Sequence, residues 1–154
     1  VAVFTSRHTT VVLKDGTGTP ITATVGPGPG DLTISGFQEG FSEATPILNR
    51  GDFQELVLGA DTPVEFSITI WHDGDLTGTS VLDAIQKSGN FASGVTVDPG
   101  GVVWALDCLV TMTRGGVTNT YLLNTCRLKA DWKEGLDGNQ FTISGTCYEG
   151  VTIT

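Results

Sequence analysis

The densest grouping of side chains able to do chemistry is His72-Asp73-Gly74-Asp75, an imidazole and two carboxylates within four residues. Nitrogen and carboxylate oxygen together suit a divalent cation. The run falls short of the ligand number of a calcium loop, and Asp and Gly are also what a tight turn asks for. It reads as a polar turn between a strand and a helix. The only other histidine is His8. Three cysteines, Cys108, Cys126 and Cys147, share no C-x-x-C spacing and are odd in number. Each lies in an apolar or β-branched setting and reads as a small buried hydrophobe, not as a metal ligand or part of a disulfide framework. No G-x-S-x-G, H-E-x-x-H, P-loop or G-x-G-x-x-G after a strand occurs. None of the seventeen carboxylates sits in a context that would set two pKa values apart for acid and base work. The expectation is a chain with no catalytic, cofactor-binding or metal-binding residues. Trp71, Trp104 and Trp132 could stack on a sugar or a base. Trp104 and Trp132 fall on apolar strand faces and read as core, whereas Trp71 falls on a polar face and is the candidate interface aromatic.

Charge narrows the partners. Seventeen acidic residues against eight basic ones give a formal net charge of −9, with no local concentration of Lys or Arg. Phosphate backbones are held by cations, so such a surface repels nucleic acid instead of binding it. Apolar residues make up 39% and charged ones 16%, spread along 154 residues, which suits one folded domain spanning 1–154. No apolar run reaches the length of a membrane-spanning helix, and no basic stretch followed by an apolar core opens the chain, so it reads as soluble and without a membrane anchor.

The elements that must position these residues are mostly strands. Thr9 to Lys14 and Thr19 to Val25 flank a glycine-containing turn and predict a hairpin. Gly26-Pro27-Gly28-Pro29-Gly30 then interrupts any ladder. After a short strand at 31–36, the stretch 37–53 loses both periods and predicts a long loop. It nevertheless carries Phe37, Phe41, Ile47, Leu48 and Phe53, which must pack on the domain or on a neighbour. Residues 63–72 alternate strictly, with Val64, Phe66, Ile68 and Ile70 on one face. Ser80 and Asp83 form a capping pattern that opens a short helix over about 80–88, with Gly89 as its left-handed cap. Strands over 102–113 and 118–133, joined by Arg114-Gly115-Gly116, predict a long hairpin. The chain closes on 140–148 and 151–154, with a bulge at Glu149-Gly150. The fold class is therefore mainly β, a sandwich or barrel of antiparallel strands with one short flanking helix.

Three blocks carry a family likeness: LTISGFQEGFSEATPILNRGDFQELV (Leu32 to Val57), TSVLDAIQKSG (Thr79 to Gly89) and CRLKADWKEGLDGNQFTISGTCYEGVTIT (Cys126 to Thr154). In order and spacing they resemble the tail-tube, or major tail, proteins of siphophages. The resemblance implies a β-sandwich with one flanking helix and a structural, non-enzymatic role. It implies hexameric rings stacked into a tube, whose lumen passes DNA during ejection. An acidic lumen would keep that DNA from adsorbing. The implied partners are other copies of the chain, a tape-measure protein and tail-tip or terminator proteins, with DNA only in transit. The implied location is the virion, after synthesis in the host cytoplasm. The loop carrying Phe37, Phe41, Ile47, Leu48, Arg50 and Phe53 would supply the contact between rings. Two other readings fit the strand-rich pattern: an immunoglobulin-like or carbohydrate-binding module on a virion or cell surface, and the inner tube of a contractile tail or secretion device.

Overall fold

The computed structural model describes residues 3–26, 28–72 and 80–154. Its main sheet is antiparallel. β1 (Thr9–Lys14) and β2 (Thr22–Thr24) form the expected first hairpin. β3 (Thr33–Ser35) lies far from them at the other end of the strand order. β4 (Ser42–Asn49) and β5 (Asp52–Asp61) form a separate two-stranded sheet. β6 (Val64–Trp71), β7 (Leu106–Arg114), β8 (Val117–Lys133), β9 (Gln140–Cys147) and β10 (Val151–Ile153) complete the body. The order in the main sheet is β2-β1-β7-β8-β9-β6-β3, with β10 also on β8.

β8 explains how one sheet makes two layers. Its first half pairs with β7 and β10, through Leu123 opposite Cys108 and Val151, and its second half pairs with β9. At the change-over Thr125 takes a φ of 53°. Its amide donates to Asp107 at 3.1 Å, and its carbonyl accepts from Tyr148 at 3.1 Å. Asn124 donates to the Gly150 carbonyl, so β9 and β10 form one interrupted strand that bends with β8. That is the bulge expected at Glu149-Gly150, and it lets the sheet fold over on itself. Burial keeps the carboxyl of Asp107 above its ordinary pKa, only partly offset by the Thr125 amide.

The core between the layers follows from alternation. Val11 and Leu13 of β1, Val64 and Phe66 of β6, Cys108 and Val110 of β7, and Leu123 and Cys126 of β8 are buried in one cluster. All three cysteines are inside it, as their settings in the sequence predict. The turn between β1 and β2 is tied down by buried Asp15, whose carboxylate accepts from the amides of Ile21 (2.8 Å) and Val95 (3.3 Å) and from Thr17. Burial alone would raise the pKa of Asp15, but these donors outweigh it and hold it below the ordinary value.

Among the described residues one α-helix, α1 (Val81–Gln86), flanks the sheet. Ser80 caps it by accepting from the Asp83 amide at 3.2 Å, as its sequence pattern predicts. The left-handed C-cap is Lys87, two residues earlier than the glycine expected there, and its Nζ then lies 5.3 Å over the ring of Trp104. Trp104 in turn donates to the Ala84 carbonyl at 2.7 Å, which docks α1. None of the described helices is long and apolar enough to cross a membrane.

Two strand boundaries differ from the pattern in the sequence. β7 begins at Leu106, not at Val102. Thr96 bonds both the Val103 carbonyl and the Ala105 amide, which holds this approach against the loop over 95–98 and leaves Val102 in solvent. Residues 37–53 are not a long loop: most of them belong to a hairpin. The alternation is hidden there by a register shift between Ile47 and Leu48, which changes the phase of β5 relative to β4. The turn is Arg50-Gly51, both with positive φ (51° and 90°), the backbone form that a two-residue hairpin needs.

Candidate assembly surface

The β4–β5 hairpin is an arm. Every residue of β5 and all but the first of β4 is exposed, and neither strand joins the main sheet. Cross-strand partners point to the same face of a ribbon, so its two faces can be read from the register. Ala44 with Leu58, Pro46 with Leu56, and Leu48 with Phe53 share one face. The large side chains on it, Leu48, Phe53, Leu56 and Leu58, keep 56–75% of their surface in water. The other face carries Thr45 with Val57, Ile47 with Glu55, and Asn49 with Asp52. The arm is thus a two-stranded ribbon whose one face is apolar from the Ala44–Leu58 pair to the Leu48–Phe53 pair, and its charge is four carboxylates (Glu43, Asp52, Glu55, Asp61) against Arg50 alone. A contiguous apolar face in solvent marks an interaction surface, and a lone hairpin gains too little from its own contacts to be stable.

The root is built differently. Phe41 is packed against the body core beside Gly150, where a Cβ would stand 2.9 Å from the Phe41 ring. Its carbonyl accepts from Thr62 at 2.6 Å, and Ser42 donates to Asp61 at 3.1 Å, closing the two strands at their base. Phe37 meets the Tyr121 ring with centroids 5.8 Å apart. The six residues singled out in the sequence therefore divide: Phe37 and Phe41 at the base, Ile47, Leu48 and Phe53 on the ribbon, Arg50 at its tip. Leu56, Val57 and Leu58 complete the exposed surface and were not singled out. A count of large apolar residues continued past Phe53 finds them.

A second surface is polar. On β3, β6, β9 and β8 the register sets Ser35, Glu65, Thr146 and Arg127 in one cross-strand row and Thr33, Ser67, Ser144 and Lys129 in the next. They border an open groove of about 610 Å³. Trp71 stands two rows further along the same face, half-buried, with its ring against the backbone of Gly138. Of the two tryptophans expected in the core, Trp104 is half-buried, lying ahead of β7 and packed against the core, whereas Trp132 is exposed, because β8 beyond Leu128 has left the core cluster.

Of the candidate cation-binding run, His72 is within the described residues, and its ring packs against Phe141 with centroids 4.8 Å apart. Asp73, Gly74 and Asp75 lie outside them. Among the described residues no three His, Cys, Asp or Glu side chains are grouped to hold a metal ion. Two of the buried thiols are not primed as nucleophiles: burial pushes Cys108 up to about 12, and hydrogen bonding with Cys147 together with burial pushes Cys126 up strongly.

No family model matches the sequence, and no curated protein matches it. Among solved structures, the chain is similar to that of the SPP1 tail tube determined by solid-state NMR and cryo-EM. The TM-score is 0.60 at 10% identity, over 99% of this chain and 79% of that one. At such identity the likeness is one of fold.

Proposed function

We propose that this chain is the structural subunit of a phage tail tube, assembling with copies of itself into stacked rings. The observation that carries the reading is the arm: a ribbon with one apolar face in solvent, on a body whose fold is similar to that of the SPP1 tail tube subunit. Burying Leu48, Phe53, Leu56 and Leu58 against a neighbour would stabilise the contact by roughly 1.5–3 kcal/mol for each fully covered side chain, before the costs of association. In the finer form of the proposal the rings are hexamers. Ile47, Leu48 and Phe53 then reach the next ring together with Arg50, while Phe37 and Phe41 set the arm's direction from the base and Trp71 joins a flank contact. The net charge of −9 on each copy favours an acidic lumen along which DNA slides without adsorbing. The tape-measure and tail-tip or terminator proteins would be further partners, the virion the location, and the role non-enzymatic.

Electron microscopy of the purified chain tests the proposal. Rings or tubes are expected, and a double substitution Leu56→Asp and Leu58→Asp should abolish them while leaving the far-ultraviolet circular dichroism of the body unchanged. Tubes that persist in the double variant would remove the arm from the mechanism. A wild-type chain that stays monomeric at every concentration and ionic strength tried would overturn the tube reading itself.

A further inference from the structure

The core brings together two thiols that are twenty-one residues apart in sequence. Cys126 of β8 and Cys147 of β9 are direct register partners, and both are fully buried. Their sulfur atoms lie 2.7 Å apart in a thiol–thiol contact, and Cys126 also donates to the Leu123 carbonyl at 3.4 Å. Directly opposed residues of an antiparallel pair have Cα atoms about 4.5–5.5 Å apart, inside the range of about 4.4–6.8 Å that a disulfide spans. The third thiol is placed differently. Cys108 is opposed by Leu123, so no register partner of its own carries sulfur. Cys126 further lines a small cavity of about 60 Å³ with Ile85, Trp104, Leu106, Arg127 and Leu128.

We propose that Cys126 and Cys147 are a redox pair, which a small-molecule disulfide oxidises to an intrachain cross-link stapling β8 to β9. The reaction is thiol–disulfide exchange. The Cys126 thiolate attacks one sulfur of the oxidant, forming a mixed disulfide and releasing one small thiolate, which takes up the proton lost by Cys126. Cys147 then attacks the Cys126 sulfur, releases the second small thiolate and gives it its proton. Two protein thiols are oxidised and one small disulfide is reduced to two small thiols, so electrons and protons balance. Cys126 is slow to react, because the attacking species is the thiolate, which its hydrogen bond with Cys147 and its burial both disfavour. The cross-link therefore forms through openings of β8 from β9, and it then opposes those openings by closing the loop between its ends. The inference is independent of the tube reading, since it concerns the body of the isolated chain.

The test is to incubate the chain with oxidised glutathione in a buffer with urea below the unfolding transition, alkylate the remaining thiols, and map the digest without reduction by mass spectrometry. The expected product is one linked peptide pair containing Cys126 and Cys147, lighter by two hydrogens, with Cys108 alkylated once the chain is unfolded. The oxidised chain should melt at least about 5 °C higher, and dithiothreitol should reverse the shift. Cys108→Ala should keep the link, and Cys147→Val, which retains a small apolar side chain at that position, should abolish it. A link through Cys108, stable glutathione adducts without a link, or three free thiols after prolonged incubation would each overturn the proposal.

Discussion

The β7–β8 hairpin and the β4–β5 arm are the same object locally and opposites in context. Both are antiparallel ribbons closed by two residues of positive φ, Gly115-Gly116 in the first and Arg50-Gly51 in the second. Both carry large apolar side chains on one face. In β7–β8 that face is the core, where Cys108, Val110 and Leu123 have almost no contact with water. In the arm the corresponding face, from Leu48 to Leu58, is open. Turn chemistry and strand propensity therefore decide that a hairpin forms, and a partner decides what it contributes. The body supplies that partner within the chain; under the tube reading another copy supplies it for the arm.

The largest effect expected to sharpen this contrast comes from truncating matched leucines. Leu123→Ala removes a fully buried side chain and should destabilise the monomer by about 2–5 kcal/mol, read from urea denaturation. Leu56→Ala on the arm should change the same quantity by about 0.5 kcal/mol or less. If Leu56→Ala destabilised the isolated monomer as much as Leu123→Ala, the arm would be folded against its own body and the contrast would fail.

The next effect concerns how the body holds its loops without a partner. Asp15→Ala strands the amides of Ile21 and Val95 without their acceptor, at a cost of about 1–3 kcal/mol. The sign of its pH dependence is set by the depressed pKa. The unfolded chain binds that proton more readily, so the contribution is present above pH 3.8, the ordinary value, and is lost as pH falls through the lower folded value. Urea titrations of wild type and Asp15→Ala should therefore converge below pH 3.8. A gap between them that stays constant well below pH 3.8 would contradict the assignment. A smaller effect, about 1 kcal/mol, is expected for Ser80→Ala, which removes the cap of α1. Thermal melts should show it as a shift of a few degrees, and an unchanged melting temperature would mean that the Trp104 contact alone holds the helix.

The same contrast explains which parts of the chain were legible beforehand. Strands that bury one face announce themselves: Val64, Phe66 and Ile70 alternate with polar residues because a core selects every second position, and β6 lies where that pattern lies. The cap at Ser80 and the bulge at Glu149-Gly150 were legible too, since each is specified within a few residues. The arm was not, because no core imposes a period on β5, where all ten residues are exposed, and because its register shift breaks the phase that remains. The apolar content of Ile47, Leu48 and Phe53 pointed to a surface without showing its shape. The meeting of Cys126 and Cys147 was equally hidden, because register between β8 and β9 depends on pairing across a turn and leaves no spacing rule in the sequence.

The smallest global effect, and the most discriminating, belongs to the two turns. Gly51 and Gly116 have φ of 90° and 81°, where an alanine is strained by roughly 1 kcal/mol or more. At neither position would an added Cβ meet another atom within 4 Å, so the penalty in both is conformational only. In Gly116→Ala that penalty is coupled to a packed hairpin and should appear in global unfolding. In Gly51→Ala it falls on a ribbon with no body contact to lose, so global stability should stay within about 0.5 kcal/mol of wild type while amides of β4 and β5 exchange faster. Hydrogen exchange read residue by residue separates the two, and covering the arm with a second copy should restore its protection. Equal global losses from the two substitutions would show that the arm unfolds together with the sandwich, and the distinction between a self-partnered and an unpartnered hairpin would fall.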